Sequence, residues 1–219
     1  HLNPLVQVAK GLNAEGIQSS IISYDSVLPY LEKNHPELNF ISLGKSPLEE
    51  NSFENFLEDI SSSKSWFKSG IKLIKPLQDI WPYYFDGLDQ IITERGKPDL
   101  LIIDYPAAAS FDIADKYEIP YIVNNADILN VLPANLIPYK KNVPLLMAPK
   151  PGSQMNFLDN FYTYIVRIIM IKIVAKTLSK KINKFRTERG LEVIDIINRL
   201  KEKPIFINSS FGLEYPQNI

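Results

Sequence analysis

Pro98-Asp99-Leu100-Leu101-Ile102-Ile103-Asp104-Tyr105 is the stretch that decides the fold class. Between the turn formers Pro98 and Asp99 and the polar end at Asp104, the apolar run is unbroken, with no alternation of polar and apolar positions. A strand written this way is covered on both faces, as strands inside a parallel sheet are. Downstream, Ala107 to Tyr117 reads as a helix and Tyr121 to Asn124 as the next strand. Strand, helix and strand in succession predict a right-handed crossover and a doubly wound α/β sheet.

Working back from that unit, the same rhythm recurs. Asn3 is placed to cap and Pro4 to occupy a first helical position; Leu5, Val6, Ala9 and Leu12 then repeat at helical spacing until Gly16. Ile17 to Tyr24 reads as a strand, Val27 to Asn34 as a short helix and Leu38 to Leu43 as another strand. Residues 45 to 97 read as mostly helical, with a turn at Ser61 to Ser63 and breaks at Pro76 and Pro82. Working forward, residues 129 to 152 hold five prolines and read as a long functional loop. Helices over about 155–188 and 191–202 and a last strand at Pro204 to Asn208 complete the pattern.

Composition narrows the function classes. The chain of 219 residues is 45% hydrophobic, enough for a continuous core. With 24 Lys and Arg against 25 Asp and Glu, the net charge of -1 gives no global attraction for nucleic acid, and no nucleic-acid partner is expected. The absence of Cys removes disulfides, thiolate metal sites and a cysteine nucleophile. His1 and His35 are too few for a multi-histidine metal site, so no metal ligands are assigned. The longest apolar stretch, Phe161 to Leu178, is interrupted by Arg167, Lys172 and Lys176 and reads as a packed helix with solvated charges rather than a membrane span.

In an open parallel sheet, ligands collect beyond the carboxyl ends of the strands. Asp104 ends the Leu-Leu-Ile-Ile strand, where a carboxylate is costly unless paired or hydrated. His1 lies two residues before Asn3, where the positive end of the helix disfavours the imidazolium and keeps the ring available as a base. Each also has a plainer reading: Asp104 as a turn residue, His1 as a chain-terminal residue, and the aromatic cluster Trp81, Tyr83, Tyr84 and Phe85 as core.

Three blocks together carry a resemblance. His1-Leu2-Asn3-Pro4-Leu5-Val6-Gln7-Val8-Ala9-Lys10-Gly11-Leu12, with Glu15-Gly16, resembles the Gly-His-x-x-Pro helix that opens UDP-glycosyltransferases. Pro98 to Asp104, followed by Ile113-Ala114-Asp115-Lys116-Tyr117-Glu118-Ile119-Pro120, is similar to that family's Pro-Asp-x-x-Ile-x-Asp and Ala-x-x-x-x-Ile-Pro segments. Phe206-Ile207-Asn208-Ser209-Ser210-Phe211-Gly212-Leu213-Glu214-Tyr215-Pro216 resembles the strand before the linker to its second domain. The blocks stand in the family's order and bracket the chain.

The resemblance implies a Rossmann-like doubly wound parallel sheet with added helices, the N-terminal half of a GT-B fold. The family's first, innermost strand precedes the catalytic His and is not in the sequence, which begins at that residue. Residues 1–219 would form the acceptor-binding domain. His1 would be the general base and Asp104 the carboxylate that orients it. Trp81, Tyr84, Phe85, Asn125, Leu132, Leu136 and Met147 would line a pocket for a lipophilic or phenolic small-molecule acceptor. No cofactor is implied: the UDP-sugar is a substrate, held mainly by a second domain whose His-Cys-Gly signature does not occur here. Two alternatives stay open, a non-catalytic domain that binds a lipophilic ligand or docks to a partner chain, and peripheral contact with a membrane.

Overall fold

The computed structural model describes residues 2–47, 66–125, 154–196 and 198–207. The Ser61 to Ser63 turn and the 129–152 loop lie outside the described residues. In chain order the elements are α1 (Leu2–Ala14), β1 (Ser20–Ser23), α2 (Leu28–Asn34), β2 (Asn39–Ser42), α3 (Trp66–Arg95), β3 (Leu101–Asp104), α4 (Ala109–Tyr117), β4 (Tyr121–Asn125), α5 (Phe157–Glu188) and β5 (Ile205–Ile207). A 3-10 turn, Asp25–Val27, leads into α2.

The architecture is α/β with parallel strands in two small sheets, compatible with a Rossmann-like arrangement. β1 pairs with β2, Ser20 opposite Asn39, and the second sheet runs β3-β4-β5, with Leu101 opposite Tyr121 and Val123 opposite Ile205. Among the described residues every strand pairing is parallel, as the unbroken apolar run of β3 predicts. Helices cover both faces of β1. Ile21 packs with Val6 and Ala9 of α1, Leu31 of α2 and Leu38 just before β2, while Ile22, one residue on and so on the opposite face, packs against the cluster around α3.

The helix ends follow their sequence. At the end of α1, Gly16 takes φ +78°, and Ile17 N–H reaches back to Leu12 C=O at 2.9 Å. This is the left-handed C-terminal motif that glycine favours. α4 ends on the same motif, with Ile119 N–H to Ala114 C=O at 2.9 Å, but its left-handed residue is Glu118, at φ +50°. Asn3 departs from its expected role as a cap: it lies inside α1, and its side-chain oxygen accepts the Tyr30 hydroxyl of α2 at 2.8 Å.

Two other expectations are corrected. α3 runs unbroken through Pro76 and Pro82. Each internal proline costs about 3 kcal/mol, but the helix buries Trp81, Phe85, Leu88 and Ile92 on one stripe, and burying such side chains returns roughly 1.5–3 kcal/mol each. Packing therefore outweighs the local penalty. Where α3 comes nearest the end of β2 it carries Gly87, at which a Cβ would stand 3.0 Å from Leu43 Cδ2.

The described residues of 191–202 form turns rather than a helix. Side chains of α5 capture their backbone: Asn183 donates to Ile194 C=O at 3.0 Å and accepts from Ile194 N–H at 2.9 Å, and Arg186 Nε donates to Glu192 C=O at 2.7 Å. Arg199, from the same turns, reaches Asp112 at 2.7 Å and Asp115 at 2.6 Å. Asp112 is fully buried and also accepts from Arg186 and, at 2.8 Å, from Trp81 Nε1. Two carboxylates and two guanidinium groups tie α4, α5 and the turns after it into one neutral cluster.

Candidate functional site

The carboxyl ends of the strands gather polar groups from both sheets. Asp104 is the last residue of β3, and Asn124 stands opposite it in register on β4. Asn124 Nδ2 donates to Asp104 Oδ1 at 3.1 Å. The ladder continues one step further, where Tyr105 N–H donates to Asn124 C=O at 2.9 Å. Asn124 and Asn125 are both fully buried, so β4 delivers two amides to this edge instead of the apolar residues that precede them.

Tyr84 joins the two sheets. It projects from α3 and packs edge-on against Tyr24, with ring centroids 5.7 Å apart. Tyr24 directly follows β1, as Tyr105 directly follows β3. Burial pushes the Tyr84 phenol up to about 12, with further upward pressure from Tyr24 and from the charge of Asp104, and a hydrogen bond with Ser110 works against the rise. Burial likewise raises Tyr105 to about 12 and moves Tyr24 upward. These phenols stay protonated at neutral pH and serve as hydrogen-bond donors. The Tyr24 hydroxyl is buried and has no hydrogen-bond partner among the described residues.

The first turn of α1 belongs to the same end of the sheet. Ser19, just before β1, donates to Ala9 C=O at 3.2 Å and to Asn13 Oδ1 at 2.8 Å, so the C-terminal part of α1 sits at the start of the strand. Its N-terminal part is anchored through Asn3 to Tyr30 of α2, which follows the carboxyl end of β1. The positive end of the α1 dipole thus lies on the carboxyl side. Below this edge, Ser42 Oγ donates to Asp25 and Gly44 N–H donates to Ser42 Oγ at 2.7 Å, closing the ends of β1 and β2 together.

No protein-family model matches the chain, and no curated protein matches it.

Of the residues singled out in the sequence, Asp104, Tyr84 and Asn125 come to this edge. Trp81 and Phe85 are core residues of α3, 8% and 1% exposed, the indole N–H committed to Asp112. His1, Leu132, Leu136 and Met147 lie outside the described residues. Sequence reasoning missed Tyr24, Tyr105 and Asn124. The rule that selects Asp104, position at a strand's carboxyl end, would have found all three.

Proposed function

We propose that the chain is the acceptor-binding half of an inverting UDP-sugar-dependent glycosyltransferase of GT-B type, moving a sugar such as glucose to the hydroxyl of a lipophilic or phenolic small molecule. The observation that carries this reading is the setting of Asp104: a carboxylate at the end of a parallel strand, held by the buried Asn124 amide, beside Tyr84, on the side of the sheet where α1 begins. A carboxylate fixed in this way suits the orientation of a neighbouring imidazole, and His1 immediately precedes α1.

In this mechanism His1 takes the proton of the acceptor hydroxyl, and Asp104 stabilises the imidazolium that results. The acceptor oxygen forms a bond to the anomeric carbon from the face opposite UDP. The bond from that carbon to the diphosphate oxygen breaks, the configuration inverts, and UDP departs with the bonding pair. Tyr24 and Tyr84 offer protonated phenols to a bound hydroxyl or ring, and Asn125 adds an amide. The charge that develops on the leaving diphosphate needs preorganised donors, which in this reading come from a second, donor-binding domain.

The test is sugar transfer from UDP-glucose to a phenolic acceptor by residues 1–219 joined to a donor-binding domain. His1→Ala is expected to lose at least about two orders of magnitude in kcat, the scale of general-base catalysis, and Asp104→Ala less. Residues 1–219 alone are expected to bind the phenol without transferring sugar. Full activity of His1→Ala, or transfer by residues 1–219 alone, would sink the assignment. Phenol binding without transfer in the joined protein would point to a ligand-binding module instead.

A further inference from the structure

Tyr24 stands at the carboxyl end of β1 on a backbone that is pinned on both sides. Ser23 C=O accepts Leu43 N–H at 2.8 Å, Tyr24 C=O accepts Val27 N–H at 3.0 Å, and Asp25 N–H donates to Gly44 C=O at 3.0 Å. The residue is extended, at φ -71° and ψ 157°, immediately before the 3-10 turn. Its ring is set edge-on against Tyr84, the two planes 81° apart. Backbone and ring are both fixed, so the phenolic oxygen has a defined place.

The two phenols of this pair differ in what their hydroxyls do. Tyr84 is hydrogen-bonded to Ser110 and lies in the field of the Asp104 carboxylate. The Tyr24 hydroxyl is buried and makes no hydrogen bond among the described residues. A buried donor without an acceptor carries its full desolvation penalty, and folded proteins retain few of them. Elsewhere in the chain such groups have polar company: Arg199 stands beside the Tyr121 hydroxyl, and His35 Nδ1 lies 4.0 Å from Glu37 Oε1. The Tyr24 ring stands against a second phenol whose own hydroxyl is already engaged.

We infer that Tyr24 is a specificity-determining residue of the site, donating to an oxygen of the acceptor molecule other than the hydroxyl that reacts. The inference rests on the reading of this edge as an acceptor site, and it names the class of acceptor: an aromatic alcohol that also carries a carbonyl or ether oxygen. The assignment of each group follows from its chemistry. Asp104, ionised, can only accept, and suits the side of the ligand that gives up a proton. A phenol whose pKa is raised by burial stays a donor at neutral pH and suits an oxygen with lone pairs alone. Such a site rejects an analogue that lacks the oxygen, because the buried donor is then left unpaired.

The experiment compares the parent chain with Tyr24→Phe by equilibrium dialysis. The probes are meta- and para-hydroxyacetophenone, each paired with the ethylphenol of the same substitution pattern, in which two hydrogens replace the ketone oxygen. In at least one pair the parent is expected to favour the ketone by about ten-fold, the scale of a buried donor left unpaired, and Tyr24→Phe to lose that preference. The ketones are also the more acidic phenols, but that difference acts equally on parent and variant. Tyr24→Phe keeps the ring against Tyr84, and its Tm without ligand is expected to equal or exceed the parent's, since an unpaired buried hydroxyl has been removed. A lower Tm would show that the hydroxyl serves the fold and would overturn the inference. Equal affinity within both pairs, or a preference that survives Tyr24→Phe, would overturn it and leave the acceptor-site reading standing. Failure of every probe to bind would overturn both. A preference that depends on Tyr24, in a protein that transfers no sugar when joined to a donor-binding domain, would uphold the ligand site and sink the transferase reading alone.

Discussion

Arg186, in the last turn of α5, donates into the fully buried carboxylate of Asp112 on α4, 74 residues away in sequence. Nothing local predicts this contact, yet it fixes how the long helix docks. Asp112 also holds Arg199 and Trp81, so its removal would leave an indole N–H without its acceptor and two guanidinium groups sharing the single carboxylate of Asp115. Breaking one side of a buried ion pair costs about 3–5 kcal/mol. Asp112→Ala is therefore expected to lower the stability by about that amount in urea unfolding, with a change in the fluorescence of Trp81. A loss below about 1 kcal/mol would show that the cluster contributes little.

Glu118 offers a change in the opposite direction. It occupies a left-handed conformation at the end of α4, which costs a side-chain-bearing residue roughly 1 kcal/mol and glycine almost nothing. Its carbonyl accepts Lys97 Nζ at 3.0 Å, a contact that does not involve the Glu118 side chain. Glu118→Gly is expected to stabilise the protein by about 0.5–1 kcal/mol, seen as a rise in Tm. An unchanged or lower Tm would count against strain at this position.

The buried phenols predict an alkaline transition. Tyr84 and Tyr105 are both raised from 10.0 to about 12, so the folded state keeps protons that the unfolded chain releases. Their contribution is complete below pH 10 and is lost as the pH rises through about 12. At about 1.4 kcal/mol per pH unit for each group, stability should fall steeply across that interval. Absorbance at alkaline pH should show a late-titrating class of tyrosines that loses one member in Tyr84→Phe and one in Tyr105→Phe. Ionisation of every tyrosine near its ordinary value before unfolding would refute this.

Asn124→Asp should turn the hydrogen bond at Asp104 into a repulsion. Two carboxylates at hydrogen-bond distance, one of them fully buried, cannot both ionise without cost. The new group's folded pKa would be raised, so its protonated form is tolerated at acid pH and stability is lost as the pH rises through that value. The variant is expected to be close to the parent below about pH 4 and destabilised by about 3 kcal/mol at neutral pH. A pH-independent difference would mean that the amide's role is steric.

Where the sequence was legible, the signal was local. The apolar run before Asp104 and the β-branched pair Ile21-Ile22 each announced their strand, though β1 begins at Ser20 and not at Ile17, and the strand-end rule selected Asp104. The failures have a common cause, side chains whose partners are distant in sequence. α3 survives Pro76 and Pro82 because of what Trp81, Phe85, Leu88 and Ile92 pack against. Residues 191–202 lose their helix to Asn183 and Arg186 of the preceding helix. Periodicity along the chain cannot register either influence. Trp81 and Phe85 lie inside the core, and Tyr84 packs at its margin, where its ring also meets Tyr24 and feels the charge of Asp104.

The parallel pairings also set an order of assembly. From Ser20 to Asn39 and from Leu101 to Tyr121 the chain closes loops of about twenty residues, but from Val123 to Ile205 it closes one of about eighty. Two doublings of loop length add about 1.2 kcal/mol of closure entropy. The long loop also contains α5, which docks onto α4 through Arg186 and Asp112. In pulse-labelled refolding the Tyr105 amide, bonded to Asn124 C=O, should gain protection before the Val123 amide, bonded to Pro204 C=O; the reverse order would refute the sequence. Until β5 arrives, β4 presents an unpaired edge to solvent, and the refolding protein passes through a stage in which that edge is open to pairing with another chain.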